Sequence, residues 1–357
     1  MNNKLYTEDV IKIGESELPW EMLENKSVLI TGANGMVGNF LIDVLMYRNI
    51  YRKLNCKIYP IVRNELLARH KYYGYKDNDL FSLHKWDVNS QNDIVNDNIF
   101  EKVDFVIHLA SNTHPVAYST HPIETILTNT VGTINMLEFA LKHENERFVF
   151  VSSNEIYGEN RGDVELFDET YCGYIDCNTL RAGYTESKRC GEALCQAYIW
   201  EKNMDIVIPR LTRTYGSTVL QSDTKVISQF LFDAVNDRDI VLKSNGLQYF
   251  SYIYVADAVS GILTVMLNGK SGETYNISDY KSDIKLRDLA EYIAEYVGKQ
   301  VIYKKPDDAE MAGYSKVTKA RLNNEKIKAL GWNAIYDIKQ GIARCIDILK
   351  TKDAEME

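Results

Sequence analysis

The sequence predicts an α/β fold, a doubly wound parallel sheet with a smaller α+β lobe, and three observations support this prediction. From Ser27 onward, short apolar runs alternate with longer helical segments, which is the pattern of parallel strands covered by helices on both faces. A glycine-rich turn follows the first of these runs. Beyond about residue 215, short strand-like runs mix with helical segments without that regular alternation.

The elements of the first half follow in a regular order. The strand-like run "SVLITG" precedes a helix predicted over Met36–Tyr47, and "CKIYPIVR" and "FSLHKW" are the next two strands. The run "VDFVIHLA" precedes a helix over Ile123–Lys142, and "RFVFVSS" comes before a helix over Arg181–Lys202 and the strand "MDIVIPRL". Residues 27–215 are therefore expected to form mainly a doubly wound nucleotide-binding domain.

The second half is expected to form mainly a smaller lobe. Its strand-like runs include "DIVLK" and "FSYIYV". Its predicted helices cover Lys225–Asn236, Ala256–Leu267, Leu286–Val297 and Tyr336–Leu349. Because no Gly/Ser-rich tether separates the halves, residues 216–357 are expected to interleave with the sheet. The first 26 residues are expected to form an N-terminal strap on the surface.

Composition narrows the class of protein. The chain has 357 residues, of which 45% are hydrophobic, and this is enough for a large core. A net charge of −9 argues against a nucleic-acid partner, because phosphates require a basic face. The sequence shows no signal peptide, no apolar run of membrane-spanning length and no zinc-type cysteine spacing. These features predict a cytoplasmic enzyme with reduced thiols, no membrane partner and no metal.

The turn "TGANGMVG" predicts a dinucleotide site. Three glycines with G-x2-G-x2-G spacing stand between a strand and a helix, where they permit a tight turn and a close approach of backbone N–H groups to a pyrophosphate. The positive end of the helix then faces the diphosphate. The predicted cofactor-binding residues here are Gly32, Asn34, Gly35, Met36, Val37 and Gly38. The expected fold is thus a Rossmann-type sheet with a smaller substrate-binding lobe.

The segment "GYTESKR" predicts the catalytic chemistry. Tyr184 and Lys188 are four residues apart on one face of a helix, so the ammonium can favour the phenolate of the tyrosine. Tyr184 can then exchange a proton with a sugar hydroxyl. Ser153, at the end of "RFVFVSS", supplies a hydroxyl that holds the same oxygen while hydride moves.

At this point the chain resembles the extended short-chain dehydrogenase/reductase family, which includes NAD(P)-dependent epimerases, dehydratases, decarboxylases and reductases of nucleotide-activated sugars. The matching pieces are "TGANGMVG", "WDV", "VDFVIHLAS", "ILTNTVGTINMLEFA", "FVFVSSNEIYG", "RAGYTESKR", "PRLTRTYG", "YIYVADAV", "ETYNIS" and "ALGW". These pieces are spread over nearly the whole chain.

The resemblance implies roles for further residues. It makes Ser153, Tyr184 and Lys188 the catalytic triad. It places Asp87 and Val88 beside the adenine, and it lines the cofactor with Leu109, Ala110 and Ser111. It also implies a nucleotide-sugar substrate, a role in making surface-glycan precursors, and a homodimer formed through a four-helix bundle of the helices around Ile123–Lys142 and Arg181–Lys202.

The triplet "SNE" and two substitutions make the sugar end unusual for the family. Glu155 matches the glutamate that removes a proton beside a transient ketone in dehydratases and decarboxylases, although a solvent-facing carboxylate is the plain alternative. Asn154 replaces the dehydratase aspartic acid and cannot donate its proton. Arg213 replaces the usual asparagine, and Phe250 replaces the usual arginine before a serine. Arg213 is expected to bind the substrate diphosphate as a planar fork, unless the substrate sits differently.

The residue that closes the second predicted strand points to the cofactor. Arg63 stands where an acidic residue usually holds the ribose, and a guanidinium attracts a 2′-phosphate. NADP(H) is therefore favoured over NAD(H), which remains possible, and net reduction of a keto sugar is favoured. The alternatives are an NAD-retaining epimerase, 4,6-dehydratase or decarboxylase that uses Glu155, and a non-catalytic cofactor-binding protein on the same fold.

Overall fold

The computed structural model describes residues 3–90, 99–100, 102–113, 115–305 and 317–354. The strands in the described chain are β1 (Ser27–Thr31), β2 (Lys57–Val62), β3 (His84–Lys85), β4 (Phe105–His108), β5 (Arg147–Phe150), β6 (Ser152–Ser153), β7 (Ile206–Leu211), β8 (Arg213–Tyr215), β9 (Ile240–Leu242), β10 (Tyr249–Tyr254), β11 (Thr274–Ile277), β12 (Asp283–Lys285), β13 (Val301–Tyr303) and β14 (Lys319–Ala320).

The α-helices of the same residues are α1 (Lys4–Gly14), α2 (Met36–Arg52), α3 (Glu65–Lys71), α4 (Pro115–Thr120), α5 (Pro122–Lys142), α6 (Ala182–Lys202), α7 (Val226–Val235), α8 (Val255–Asn268), α9 (Leu286–Val297), α10 (Glu325–Lys328) and α11 (Ile338–Ala354). Several end where one residue takes the left-handed conformation, as Lys53, Asn203 and Gly298 do after α2, α6 and α9. No helix in the described ranges is both long and apolar enough to cross a membrane.

The large sheet is the parallel, doubly wound sheet that the sequence predicts. Its strands lie in the order β11-β7-β5-β4-β1-β2-β3, every neighbouring pair is parallel, and β6 extends the pairing along β7. All five residues of β1 are buried, as expected for a strand with neighbours on both sides and helices over both faces. Strand order reverses between β1 and β4, so a crevice opens at the carboxyl ends of these strands.

A smaller mixed sheet lies beside this crevice. β10 pairs antiparallel with β12 and parallel with β8 and β14. In this register Tyr252 lies opposite Arg213, so the second half of the chain is hydrogen-bonded to the strand that follows β7. β11 also follows residue 215 in the chain and forms one edge of the large sheet. Residues after 215 therefore contribute to both sheets.

The N-terminal segment, for which a surface strap is predicted, contains a packed helix. Asn3 caps α1 by accepting a hydrogen bond from the backbone of Tyr6 at 3.0 Å. Tyr6 and Ile13 are buried in the hydrophobic core. Asp9 is fully buried and accepts a hydrogen bond from Arg344 Nε at 2.8 Å, which ties α1 to α11.

Candidate active site

The crevice of the large sheet is a cavity of about 1010 Å³. Its walls come from the carboxyl ends of the central strands on one side and from the smaller sheet on the other. It is lined by the glycine turn, by the predicted triad, and by Arg181, Arg213 and Phe250. All eighteen of the predicted cofactor, catalytic and sugar-end residues from Gly32 to Arg213 line this cavity, and so does Phe250.

The glycine turn has the shape that a dinucleotide requires. Gly32 has a φ of +68°, and a Cβ built on it would lie 2.9 Å from the backbone of Leu109 and Ala110. A Cβ on Gly38 would lie 2.7 Å from the carbonyl oxygen of Gly32. Gly35 caps α2 without a side chain, so the first N–H groups of the helix face the cavity. The turn therefore fits a pyrophosphate, and larger residues would push its backbone apart.

The predicted adenosine end of the cavity contains Arg63 directly after β2. Its guanidinium forms an ion pair with Glu124 and lies 3.4 Å from Asn112 Oδ1, while its side chain remains 54% exposed. A recess next to it is lined by Arg63, Lys85, Trp86 and Asp87. Arg63 thus stands beside the predicted ribose position, but Glu124 already offsets part of its positive charge.

The three residues of the predicted triad lie together on the wall of the cavity. Ser153 ends β6 and shares a hydrogen bond with the hydroxyl of Tyr184 in the first turn of α6. Lys188 follows one turn later, and its Nζ donates to the carbonyl oxygen of Val151 at 2.9 Å. Tyr184 and Lys188 are only 4% and 3% exposed. The fold therefore brings these three side chains together although they come from two separate elements.

Burial governs the acidity of this pair. It raises the pKa of Tyr184 to about 12, although the hydrogen bond from Ser153 acts in the opposite direction. Burial also lowers the pKa of Lys188 to about 8, while Glu192 partly counteracts this shift. The tyrosine is thus a weak acid in the protein alone, and its phenolate requires the nearby positive charge.

The sugar end contains a buried ion cluster. Glu155 is held by Arg181 Nη2 at 2.6 Å and by Arg213 Nη2 at 3.5 Å, so it is not the solvent-facing carboxylate of the plain alternative. Burial would raise the pKa of Glu155, but the two guanidinium groups outweigh it and hold the pKa below its usual value. The guanidinium carbon of Arg213 lies 3.6 Å from the centre of the Phe250 ring.

Four buried polar atoms in this region have no hydrogen-bond partner among the described residues. They are Arg181 Nη1, Arg213 Nη1, Asn154 Nδ2 and Tyr252 Oη. All four side chains line the cavity. Because an unpaired buried donor is costly, a cluster of them indicates where a polar ligand group binds.

Sequence reasoning missed several residues of the site. Arg181 stands three positions before Tyr184, and its place just before the helix was an available signal. Tyr118 stacks on the Tyr184 ring with centroids 4.6 Å apart, and Arg181 lies 4.7 Å from the Tyr118 ring centre. No spacing in the sequence links Tyr118 to Tyr184, because α4 approaches α6 only through the tertiary fold.

The described residues give His108 a packing role and contain no cluster of metal ligands. His108 is buried in β4, and its ring nitrogens meet the hydroxyls of Thr31 at 2.9 Å and Thr133 at 3.3 Å. Burial lowers its pKa to about 3, so it is a neutral core side chain. Among the residues that the structure describes, no group of three or more His, Cys, Asp or Glu side chains is arranged to hold a metal ion.

A dinucleotide-type turn and a Ser–Tyr–Lys set at the reversal point of a parallel sheet define an enzyme of the extended short-chain dehydrogenase/reductase type. The family model described as "NAD dependent epimerase/dehydratase family" matches residues 28–278. The chain belongs to this family, and this confirms the resemblance drawn from its motifs.

Curated relatives match most of the chain. UDP-glucuronic acid decarboxylase 6 of Arabidopsis thaliana is 29% identical over 327 residues, which cover 89% of this chain and 87% of that relative. UDP-glucuronic acid decarboxylase 1 of Danio rerio is 28% identical over 331 residues, which cover 90% of this chain and 72% of that relative.

Solved structures share the fold. UDP-glucose 4-epimerase of Thermotoga maritima, solved with UDP-glucose, superposes with a TM-score of 0.79 at 20% identity, covering 91% of this chain and 99% of that one. dTDP-glucose 4,6-dehydratase of Bacillus anthracis, in complex with NAD, gives a TM-score of 0.75 at 20% identity, covering 92% and 98%. At this identity the likeness shows the fold alone.

Proposed function

We propose that this enzyme retains NAD and uses it to oxidise and then re-reduce the sugar of a nucleotide-linked uronic acid, with loss of the sugar carboxylate in between. The observation that carries the proposal is the pair Arg181 and Arg213. Both line the cavity that also contains Tyr184, and one Nη atom of each has no partner among the described residues.

The charges of the side chains at the sugar end favour an anionic ligand. Arg181 and Arg213 bring two positive charges, and Glu155 is the carboxylate that pairs with both. The unpaired amide nitrogen of Asn154 is a further donor in the same wall. A planar carboxylate accepts such donors in pairs, whereas a neutral hydroxymethyl group would leave a buried positive charge without compensation.

The triad places the redox step at a hydroxyl-bearing carbon. The bound cofactor would supply the chemistry of accepting and returning a hydride, and the glycine turn fits its pyrophosphate. In this chain, Tyr184 takes the proton of the sugar hydroxyl, Ser153 holds the same oxygen, and Lys188 stabilises the phenolate. When the resulting ketone lies β to the carboxylate, carbon dioxide can leave and the electron pair passes into the enolate.

The state of Glu155 argues against a 4,6-dehydratase. A base that removes a proton from carbon works best with a pKa near the working pH, but the two guanidinium groups lower that of Glu155. Its carboxylate is also already bonded to Arg181 at 2.6 Å. Glu155 is better suited to orient the arginines, and Asn154 cannot supply the proton that water elimination needs.

The two family departures at the sugar end compensate for each other. Phe250 on β10 lacks the usual guanidinium, and Arg213 on the adjacent strand β8 lays its guanidinium over the Phe250 ring. The positive charge of Arg213 therefore lies beside the β10 position at which the family has its arginine, and we propose that it binds the sugar carboxylate there and not the diphosphate expected from the sequence. Relatives whose names describe UDP-glucuronic acid decarboxylases support the choice of a uronic acid.

NADPH-dependent reduction of a keto sugar is the second candidate, and Arg63 favours it. No acidic side chain closes β2, and Lys85 lines the same recess as Arg63. The ion pair with Glu124 weakens this argument, because a 2′-phosphate would have to compete with that carboxylate. We also propose a homodimer, which is supported by exposed apolar side chains on α5 and α6 such as Ile123 and Trp200.

The test combines cofactor content with product analysis. Purified protein is denatured, the released dinucleotide is quantified, and intact protein is given UDP-glucuronic acid and, as the matched control without a carboxylate, UDP-glucose. We expect retained NAD⁺, and release of carbon dioxide with a UDP-linked pentose from the uronic acid alone. Carboxylate retained in an epimerised product would contradict the decarboxylation step. An empty site with NADPH-dependent reduction of a keto sugar would favour the second candidate.

A further inference from the structure

A third ionisable side chain follows the catalytic pair on α6. Glu192 lies one helical turn after Lys188 and two turns after Tyr184, so all three share one face. Its side chain is only 13% exposed. A carboxylate with so little contact with water needs partners for its charge, and these partners indicate its role.

The partners of Glu192 come from the two strands that border the triad. Glu192 Oε1 accepts a hydrogen bond from Ser152 Oγ at 2.5 Å, and its two oxygens accept from Arg210 Nε at 3.0 Å and Nη2 at 2.6 Å. Ser152 and Ser153 are neighbours in β6, and Ser153 is the residue that bonds Tyr184. Glu192 therefore ties the helix of Tyr184 to the strand of Ser153.

Arg210 is anchored independently of this carboxylate. Its Nη1 donates to the hydroxyl of Tyr157 at 2.9 Å and to the carbonyl oxygen of Glu169 at 2.8 Å. The Tyr157 hydroxyl in turn donates to Asn276 Oδ1 at 2.5 Å on the edge strand β11. The Arg210 guanidinium is thus held in place by other residues, and it fixes the position of the Glu192 carboxylate.

We propose that Glu192 is a positioning residue for the reaction, which holds Ser153 in reach of Tyr184 and keeps the Lys188 ammonium protonated. This rests on the proposed function in taking Tyr184 and Lys188 as the catalytic pair. It adds a charge to that pair from outside the cavity, since Glu192 is not among the residues that line it.

The surroundings of Lys188 leave Glu192 as its main negative neighbour. Across from the ammonium, His108 on β4 is neutral at physiological pH, and the Phe150 ring on β5 lies 4.8 Å from Nζ. On its own helix, burial raises the pKa of the Cys195 thiol, which is therefore uncharged. Burial lowers the pKa of Lys188 to about 8 even with Glu192 present, so removing this carboxylate would lower it further.

The test reads the charge of Lys188 directly and does not require turnover. Protein labelled with ¹³C at lysine Cε is titrated by NMR, and the Lys188 signal is assigned with Lys188→Met. In Glu192→Gln we expect the Lys188 pKa to fall by about one unit, and the basic limb of kcat to move to lower pH by a similar amount with KM within about twofold. Glu201→Gln, an exposed charge change on the same helix, should move neither.

Two further variants separate charge from geometry. Glu192→Asp keeps the charge and should preserve the Lys188 pKa while kcat falls, and Ser152→Ala should lower kcat without moving that pKa, even if Glu192→Gln does not fold. An unchanged Lys188 titration in Glu192→Gln, or unchanged kcat in both Glu192→Asp and Ser152→Ala, would overturn the proposal. A shifted Lys188 titration in a protein that turns over no nucleotide sugar would uphold the electrostatic role and reject the proposed function instead.

Discussion

Tyr184 illustrates how the site changes the chemistry of a single side chain. The phenol shares a hydrogen bond with Ser153, stacks on Tyr118 and lies almost fully buried, and burial raises its pKa to about 12. With a pKa so far above neutral, almost all of the phenol stays protonated at neutral pH and cannot accept a proton. The ammonium of Lys188 and the positive charge of an oxidised nicotinamide must therefore supply the stabilisation that water does not.

Removing the phenol hydroxyl should abolish most turnover while leaving the fold intact. In Tyr184→Phe we expect kcat to fall by roughly 10²–10⁴-fold, because general acid–base transfer typically contributes that much. Retained dinucleotide, measured after denaturation, shows that the cavity is preserved. Near-normal turnover of Tyr184→Phe would contradict the catalytic role of the triad.

In the parent enzyme, activity should fall as pH rises through about 8, because the pKa of Lys188 is lowered to about 8 and this side chain is protonated below that pH and neutral above it.

At the scale of elements, an arginine on β8 lies beside the position on the neighbouring strand β10 where the family has an arginine and this chain has Phe250. β8 and β10 are adjacent and parallel, with Arg213 opposite Tyr252. The guanidinium of Arg213 crosses from β8 to lie over Phe250 on β10. An arginine on β8 or on β10 can therefore bring its guanidinium to the region of the cavity around Phe250. The pairing register of the two strands determines from which positions this is possible.

This arrangement predicts a selective binding defect. Arg213→Ala should weaken binding of a nucleotide sugar by about tenfold or more, because it removes a charge-assisted contact worth on the order of 1.5–3 kcal/mol. Binding of the dinucleotide should stay nearly unchanged, and titration calorimetry with each ligand measures the difference. Arg287→Ala, which removes an exposed arginine of α9, is the matched control. Equal weakening of both ligands would contradict the assignment.

The sequence predicts elements better than it predicts their mutual contacts. The helix over Leu286–Val297 is found with those bounds, because its apolar residues repeat with the helical period and Gly298 ends it. The run "FSLHKW" shrinks to the two residues of β3, which pair with Ile61 and Val62 of β2, while Phe81 at its start forms an isolated bridge with Ile58. Arg181 and Tyr118 reach Tyr184 through packing, which no local pattern encodes. The predicted net reduction receives no support from the relatives, which are named decarboxylases, dehydratases and epimerases.

At the scale of the whole molecule, the helices α5 and α6 beside the large sheet expose apolar side chains. α5 and α6 pack together, and the amide of Asn129 bonds the Ser187 hydroxyl between them at 2.9 Å. On the outer side of α5, Ile123, Leu127 and Ile134 recur at helical spacing and are exposed. Such a stripe of apolar side chains on adjacent helices is suited to burial against a second copy of the chain.

We expect a dimer in solution that a single charge can break. Ile134→Glu places a carboxylate in the apolar stripe, and its desolvation should shift the protein toward the monomer in light scattering after size exclusion. Leu247→Glu puts the same charge on an exposed leucine far along the chain and should leave the mass unchanged. A monomeric parent protein, or a dimer unaffected by Ile134→Glu, would exclude this interface.

The buried Asp9 has a consequence for the order in which the chain acquires its structure. Besides Arg344, it accepts hydrogen bonds from the hydroxyls of Tyr254 at 2.7 Å and Tyr336 at 2.6 Å. These partners lie 245 to 335 residues further along the chain. While the chain emerges from the ribosome, α1 therefore holds a carboxylate whose partners do not yet exist. These three hydrogen bonds of Asp9 can all form only after residue 344 has been synthesised, and they report that the two ends of the described chain have come together.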